Sequence, residues 1–180
     1  MRVEPSAEQQ KVASVRPNHV LRLLIALLVA CSLCLGPAAL RAQTLDPATA
    51  ANAAKLSRLL KETGLTYNTH SGTTWSVDLQ RKNIGKVRVI TSVGTDVVVT
   101  FAILAKKAAI QKTLQLLDAL ASANHEYDYA KIGLDKDGDL FVRIDTPSRL
   151  IDAKELKSAI DQVANASDEV FAKVSGSIRH

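Results

Sequence analysis

Asp135, Asp137 and Asp139, with Lys136 and Gly138 between them, are the densest group of metal-ligating type in the chain. Alternating carboxylates suit a calcium loop, whose oxygen ligands recur at every second position. In such a loop, however, glycine follows the third acidic ligand and a glutamate closes the ring. Here Gly138 precedes Asp139, and position 146 is Thr. The stretch reads better as a tight Asp-Gly hairpin turn than as an ion site. Nucleophilic or acid–base chemistry has little to draw on. Beyond residue 42 the only histidines are His70, His125 and His180, far apart in sequence. The same stretch holds no Ser-His-Asp order, HExxH helix, Gly-rich phosphate loop or CxxC pair. His70, in the polar run Asn68 to Thr73, and His125, after an expected helix, read as exposed loop residues. No catalytic residue, cofactor or metal site is therefore expected.

The elements that would position any site follow from periodicity. Asp46-Pro47 starts a helix, because Asp accepts from orphan N–H groups and Pro at the first position loses no bond. Ala53, Leu56, Leu59 and Leu60 give it an apolar stripe to about residue 63. From Thr74 the period is two: Trp75, Val77 and Leu79 face one way. Lys86 to Val93 repeats the pattern, and Val97 to Leu104 is apolar at both parities, as in a central strand. Ile110, Leu114, Leu117, Leu120 and Ala121 then suggest a second helix beginning near Lys106-Lys107 and ending near Asn124. Two further strands, about 129–135 and 140–146, flank the Asp137-Gly138 turn, and Pro147 stops the second. Asp152-Ala153-Lys154-Glu155 is a capping box before a final helix.

The expected architecture is α+β: a two-layer sandwich with a five-stranded antiparallel sheet, helices on one face and the order α-β-β-β-α-β-β-α. Trp75, Val77, Val87, Val89, Ile132 and Val142 would face the helices. The opposite face would carry Asp78, Arg88, Lys131, Arg143 and Asp145 beside Ile90 and Phe141. Arginine with an aromatic is a combination favoured at binding hot spots, so Arg88, Phe141 and Arg143 are the expected protein-binding residues. Trp75 is expected in the core. Lys106-Lys107, unfavourable at a helix start, hints at an acidic partner or a solvated end.

The first 42 residues look like an address rather than a packed element. Arg16 and Arg22 precede the uncharged apolar run Leu23 to Leu35, and small residues end at Ala42, which predicts a signal peptide cut before Gln43. An uncleaved anchor is one alternative, although the run falls short of the roughly 20 residues that span a bilayer. Lipidation at Cys31, which ends the lipobox-like Leu28-Val29-Ala30-Cys31, is another. Both cysteines, Cys31 and Cys34, lie in this segment, so the remaining 138 residues, expected as one domain over 43–180, hold no disulfide. Five of the 23 basic and two of the 18 acidic residues also lie there, leaving 18 against 16. That balance gives no electrostatic case for nucleic-acid binding. Any membrane link is expected only through the leader or through lipidation.

Ile132-Gly133-Leu134, the Asp137-Gly138-Asp139 turn, Leu140-Phe141-Val142-Arg143 and the helix after Pro147, taken with the order of elements, resemble the YbjN-like family. That family shares its fold with type III secretion chaperones. The likeness covers about residues 47 to 170. It implies a non-catalytic protein-binding or regulatory module, chaperone-like and self-associating, since secretion chaperones of this fold are homodimers that hold extended client segments. The chain departs from those chaperones, which are cytosolic and acidic, in its expected periplasmic or secreted location and its balanced charge. The competing function class is a small-molecule or ion-binding periplasmic domain.

Overall fold

The computed structural model describes residues 45–179; the expected leader, its cleavage site and both cysteines lie outside them. Helix α1 (Pro47–Glu62) starts as its sequence demands, with the Asp46 carboxylate accepting the Thr49 amide at 2.9 Å and Pro47 in the first turn. Six strands follow: β1 (Asn68–Ser71), β2 (Thr74–Gln80), β3 (Lys86–Val93), β4 (Val97–Ala105), β5 (Lys131–Leu134) and β6 (Leu140–Pro147). Helix α2 (Leu114–Glu126) lies between β4 and β5, and α3 (Ala153–Val174) closes the domain. All strands pair antiparallel in the order β1-β2-β3-β4-β6-β5.

The sheet thus has six strands where five were expected, and the element order is α-β-β-β-β-α-β-β-α. The added strand is β1, an edge strand whose four residues are all exposed, so no apolar alternation marked it. The second helix is also shorter than expected. Lys107–Ala109 forms a single 3₁₀ turn, Ile110 bridges to Ile178, and Thr113 caps the true start by accepting the Leu116 amide at 3.2 Å. Its buried side is therefore Leu116, Leu120 and Ala123, while Leu114 and Leu117 stand in solvent.

One sheet face is covered. Trp75, Val77, Val87, Val89, Val98, Val142 and Ile144 bury their side chains there, against Leu156, Ile160, Val163 and Val170 of α3 and Leu56 and Leu60 of α1. Each such side chain contributes about 1.5–3 kcal/mol by leaving water. Ala159, Ala164 and Ala166 let α3 lie close to the sheet, and the expected final helix runs unbroken for 22 residues. The capping box holds at its first half, with Asp152 accepting the Glu155 amide at 2.7 Å.

Asp168, buried on α3, accepts from the amides of Asn83 (2.7 Å) and Ile84 (2.9 Å) and from the Asn83 side chain (3.0 Å), pinning the β2–β3 turn. Burial pushes its carboxyl up, but these donors outweigh burial and hold it below the usual carboxylate range. Among the described residues no helix is long and apolar enough to cross a membrane.

Candidate functional site

The face turned away from the helices is set by the strand register. Asp78 on β2 stands directly opposite Arg88 on β3, and Ile90 on β3 stands opposite Phe101 on β4. Phe101 in turn faces Arg143 on β6, which faces Lys131 on β5. One step along, Ile103 faces Phe141, and Phe141 faces Gly133. A strip of Ile90, Val99, Phe101, Ile103 and Phe141 therefore runs across the middle of this face, each residue only partly covered. Gly133 has no side chain to compete for space, and the Phe141 ring lies 3.8 Å from where its Cβ would be.

Charged groups flank the strip on both sides. The Arg88 guanidinium donates twice to Asp78, Nε to Oδ1 at 2.8 Å and Nη2 to Oδ2 at 3.0 Å, and Lys86 joins at 2.9 Å. Arg88 and then Lys86 hold the Asp78 carboxyl well below the usual range. On the other side Asp145 receives Arg143 at 2.5 Å and Lys131 at 2.8 Å. Partial burial raises the Asp145 carboxyl, but Arg143 and Lys131 together leave it depressed. Between β4 and β6 the strip sinks into a dimple of about 190 Å³ lined by Val99, Phe101, Ile103, Asp135, Phe141 and Arg143.

Of the three residues singled out in the sequence, Phe141 and Arg143 meet at this dimple. Arg88 lies on the same face but on the far side of β4, engaged by Asp78. Sequence reasoning missed Val99, Phe101 and Ile103. Their signal was present in VVVTFAIL, since a strand apolar at both parities has apolar side chains on both faces of the sheet.

The other chemistry-bearing residues serve the frame. The Asp135–Asp139 turn is not the type I′ turn that a two-residue Asp-Gly loop would make: within it only Gly138 has positive φ (86°), and among the described residues no non-glycine does. The Gly138 amide donates to the Asp135 carbonyl and the Asp135 amide to the Asp139 carbonyl, both at 2.9 Å. This is a three-residue loop, a type I turn closed by a left-handed glycine. Its carboxylates are engaged locally, Asp135 by the amides of Asp137 and Asp139, and Asp139 by Lys106 Nζ (2.7 Å) and the Lys107 amide (2.9 Å). Lys106 and the Lys107 amide are thus engaged by Asp139 of the same chain, and these lysines do not begin an α-helix. Among the described residues no three His, Cys, Asp or Glu side chains converge as a metal site.

His70 is not in a loop: it lies on β1, with Nε2 2.7 Å from the Ser76 hydroxyl. Ser76 is buried, and the contact ties the edge strand to β2. His125 occupies the last turn of α2, and Trp75 is buried on the helix-facing side.

Among the described residues, a helix-backed antiparallel sheet leaves an apolar, charge-flanked face uncovered, which is the architecture of a small α+β module. The chain belongs to the YbjN family, whose description reads "Putative bacterial sensory transduction regulator" and whose model matches residues 52–175. The crystal structure of E. coli YbjN is similar over 67% of this chain and 89% of its own, at 15% identity and a TM-score of 0.50. The fold is therefore that of YbjN. Lower structural likeness extends to two secretion complexes. The ExoT–SpcS complex of Pseudomonas aeruginosa gives 16% identity over 69% of this chain and 98% of its own, with a TM-score of 0.41. The Yersinia pestis type III secretion chaperone SycH, solved with a fragment of YscM2, gives 17% identity over 66% and 98%, with a TM-score of 0.45. No curated protein matches the chain.

Proposed function

We propose that this protein is an exported, non-catalytic protein-binding module that receives a partner protein, or a second copy of itself, on its open sheet face. The observation that carries the reading is the strip of Ile90, Val99, Phe101, Ile103 and Phe141, bounded by Asp78–Arg88 and Asp145–Arg143. An apolar centre with a charged rim is the anatomy of a recognition surface, because the centre supplies affinity by excluding water and the rim sets orientation. Chaperone-like handling of a client is the form of that activity which the family's regulatory description and the shape of the surface both accommodate.

The test pairs Arg143→Glu with Phe141→Ser. The wild-type protein serves as bait in envelope extract, and its association state is followed by sedimentation; the double variant is expected to lose the recovered partner or the self-association while staying folded. A monomer at all practical concentrations, together with a double variant that keeps every partner, sinks this assignment. Export has its own measurement. The intact mass of the protein recovered outside the cytoplasm is expected to begin at Gln43, and a diacylated N-terminus at Cys31 or retention of residues 1–42 would overturn it.

A further inference from the structure

We propose that the outer edge of β6, beside the first half of α3, receives an extended, lysine- or arginine-bearing peptide segment as an added strand. This is a second surface, at the rim of the sheet, and it does not depend on the open face.

Strand β5 is shorter than the neighbour it pairs with. It pairs with β6 only as far as Lys131↔Arg143, and the chain bends away over residues 128–130, while β6 continues to Pro147. In an antiparallel ladder successive residues turn their N–H and C=O to alternate sides. Two observations fix which side each residue of β6 uses. The Ile132 amide donates to Asn124 (2.9 Å) and its carbonyl accepts from Asn124 (2.6 Å), so Ile132 turns outward and Lys131 and Gly133 bond β6 through Arg143 and Phe141. At the other end the Ser148 amide donates to the Asp96 carbonyl (2.8 Å), placing Ser148, Thr146 and Ile144 on the β4 side. Asp145 therefore turns both its N–H and its C=O outward, onto the line that β5 has vacated. The Pro147 carbonyl, next on that edge, already accepts the Leu150 amide at 3.0 Å.

A groove of about 610 Å³ lies along this edge, between β6 and α3. It is floored by Ile144 and Thr146 and flanked by Leu150 and Tyr129, whose side chains are 58% and 73% exposed. A smaller cavity of about 290 Å³ continues it, sharing Tyr129 and Gln162. The occupant follows from charge. Asp145, Asp152 and Glu155 line the larger cavity, Asp128 and Glu126 the smaller; Asp145 is already paired with Arg143 and Lys131, and among the described residues no Lys or Arg lines either cavity. No cation is within ion-pair distance of Asp152, Glu155 or Asp128 among the described residues, whereas Glu126 is held by Lys173. Main-chain pairing at Asp145 gives a strand its attachment, and the carboxylates select cationic side chains along it. Two copies of this chain meeting here would oppose like charges, which disfavours an edge-to-edge dimer.

The test uses the full chain and a synthetic hexapeptide alternating valine and lysine, with a valine–glutamate hexapeptide of equal length as control. Hydrogen exchange across residues 144–147 reports directly: Ile144 and Thr146 are already in the ladder and Pro147 has no amide, so Asp145 is the group that can gain protection. The valine–lysine peptide is expected to slow that exchange by about tenfold or more, with no effect from the control. Glu155→Gln should weaken binding about threefold, and Asp152→Asn with Glu155→Gln about tenfold, since Asn preserves the helix cap. Phe101→Ser with Phe141→Ser removes apolar groups of the open-face strip without changing the charge beside Asp145, and it should bind the peptide like wild type, which separates failure here from failure at the open face. Unchanged exchange at millimolar peptide, equal binding of the glutamate peptide, or protection that grows with protein concentration alone would each overturn the proposal; the last would make the occupant a second copy.

Discussion

Along β3, β4 and β6 every second side chain enters the helix-covered face, where Val89, Val98 and Val142 are buried, while Arg88, Phe101 and Arg143 between them stand on the open face. The two faces share a backbone, a register and a twist, yet they carry different physical loads. On the covered face the apolar side chains find α1 and α3, and their burial holds the domain together. On the open face an apolar strip of similar chemistry is covered by no helix among the described residues and lies beside ion pairs. The lesson is that apolar content along a strand does not by itself assign stability; what lies opposite decides.

The sharpest way to test that division is at Ile160, fully buried on α3. Ile160→Ala is expected to cost about 2–5 kcal/mol in urea unfolding, because the cavity lies between helix and sheet and cannot collapse easily. A loss below about 1 kcal/mol would mean that α3 is not what the covered face depends on. Next comes Gly138, which sets the β5–β6 register. A slip of one residue there would send Phe141 and Arg143 inward. Gly138→Val should cost about 1–3 kcal/mol, because φ at 86° strains a β-branched residue and an added Cβ would lie 3.0 Å from the Lys107 side chain. An unchanged melting temperature would refute this turn geometry.

The Asp168 carboxylate offers a smaller test of the covered side. Its folded pKa is depressed, so its contribution is fully present above the unfolded value near 3.9 and is lost as pH falls through the folded value. Stability should therefore decline with acid below about pH 4, and Asp168→Asn should flatten that decline while lowering stability at neutral pH. A wild-type and variant pair with parallel acid profiles would remove the charge from this account. The smallest effect belongs to the open face: Arg143→Glu with Phe141→Ser should shift stability by only about 1 kcal/mol while abolishing association. A large loss of stability there would erase the contrast between the faces.

Most of the fold was legible because its signals are local. Asp46-Pro47, the alternation from Thr74 to Val93 and the Asp152–Glu155 cap each declare their element within a few residues. What escaped depended on distant partners. β1 is polar throughout and becomes a strand only because β2 offers it an edge, with His70 reaching Ser76. Helix α2 begins only at Leu114 because β4 runs on to Ala105 and Ile110 is drawn into an extended bridge with Ile178, far along the chain. The same division holds for the site. Phe141 and Arg143 were visible from alternation, but the dimple they share with Val99 and Ile103 exists only through the β4–β6 pairing.

That pairing also governs the order in which the chain can fold. β2, β3 and β4 are joined by short turns and can meet as soon as they are made, whereas β4 must wait for β6 across everything between Ala105 and Leu140. Closing so long a loop has an entropic cost before the ladder returns any of it, so this step is expected to set the folding rate. Until it occurs, the most apolar strand of the protein has one unpaired edge, and α3 has no finished surface to settle on. A chain emerging from its N-terminus passes through that interval every time it is synthesised. Protection of β4 during those moments is therefore the main kinetic demand that this topology places on the cell.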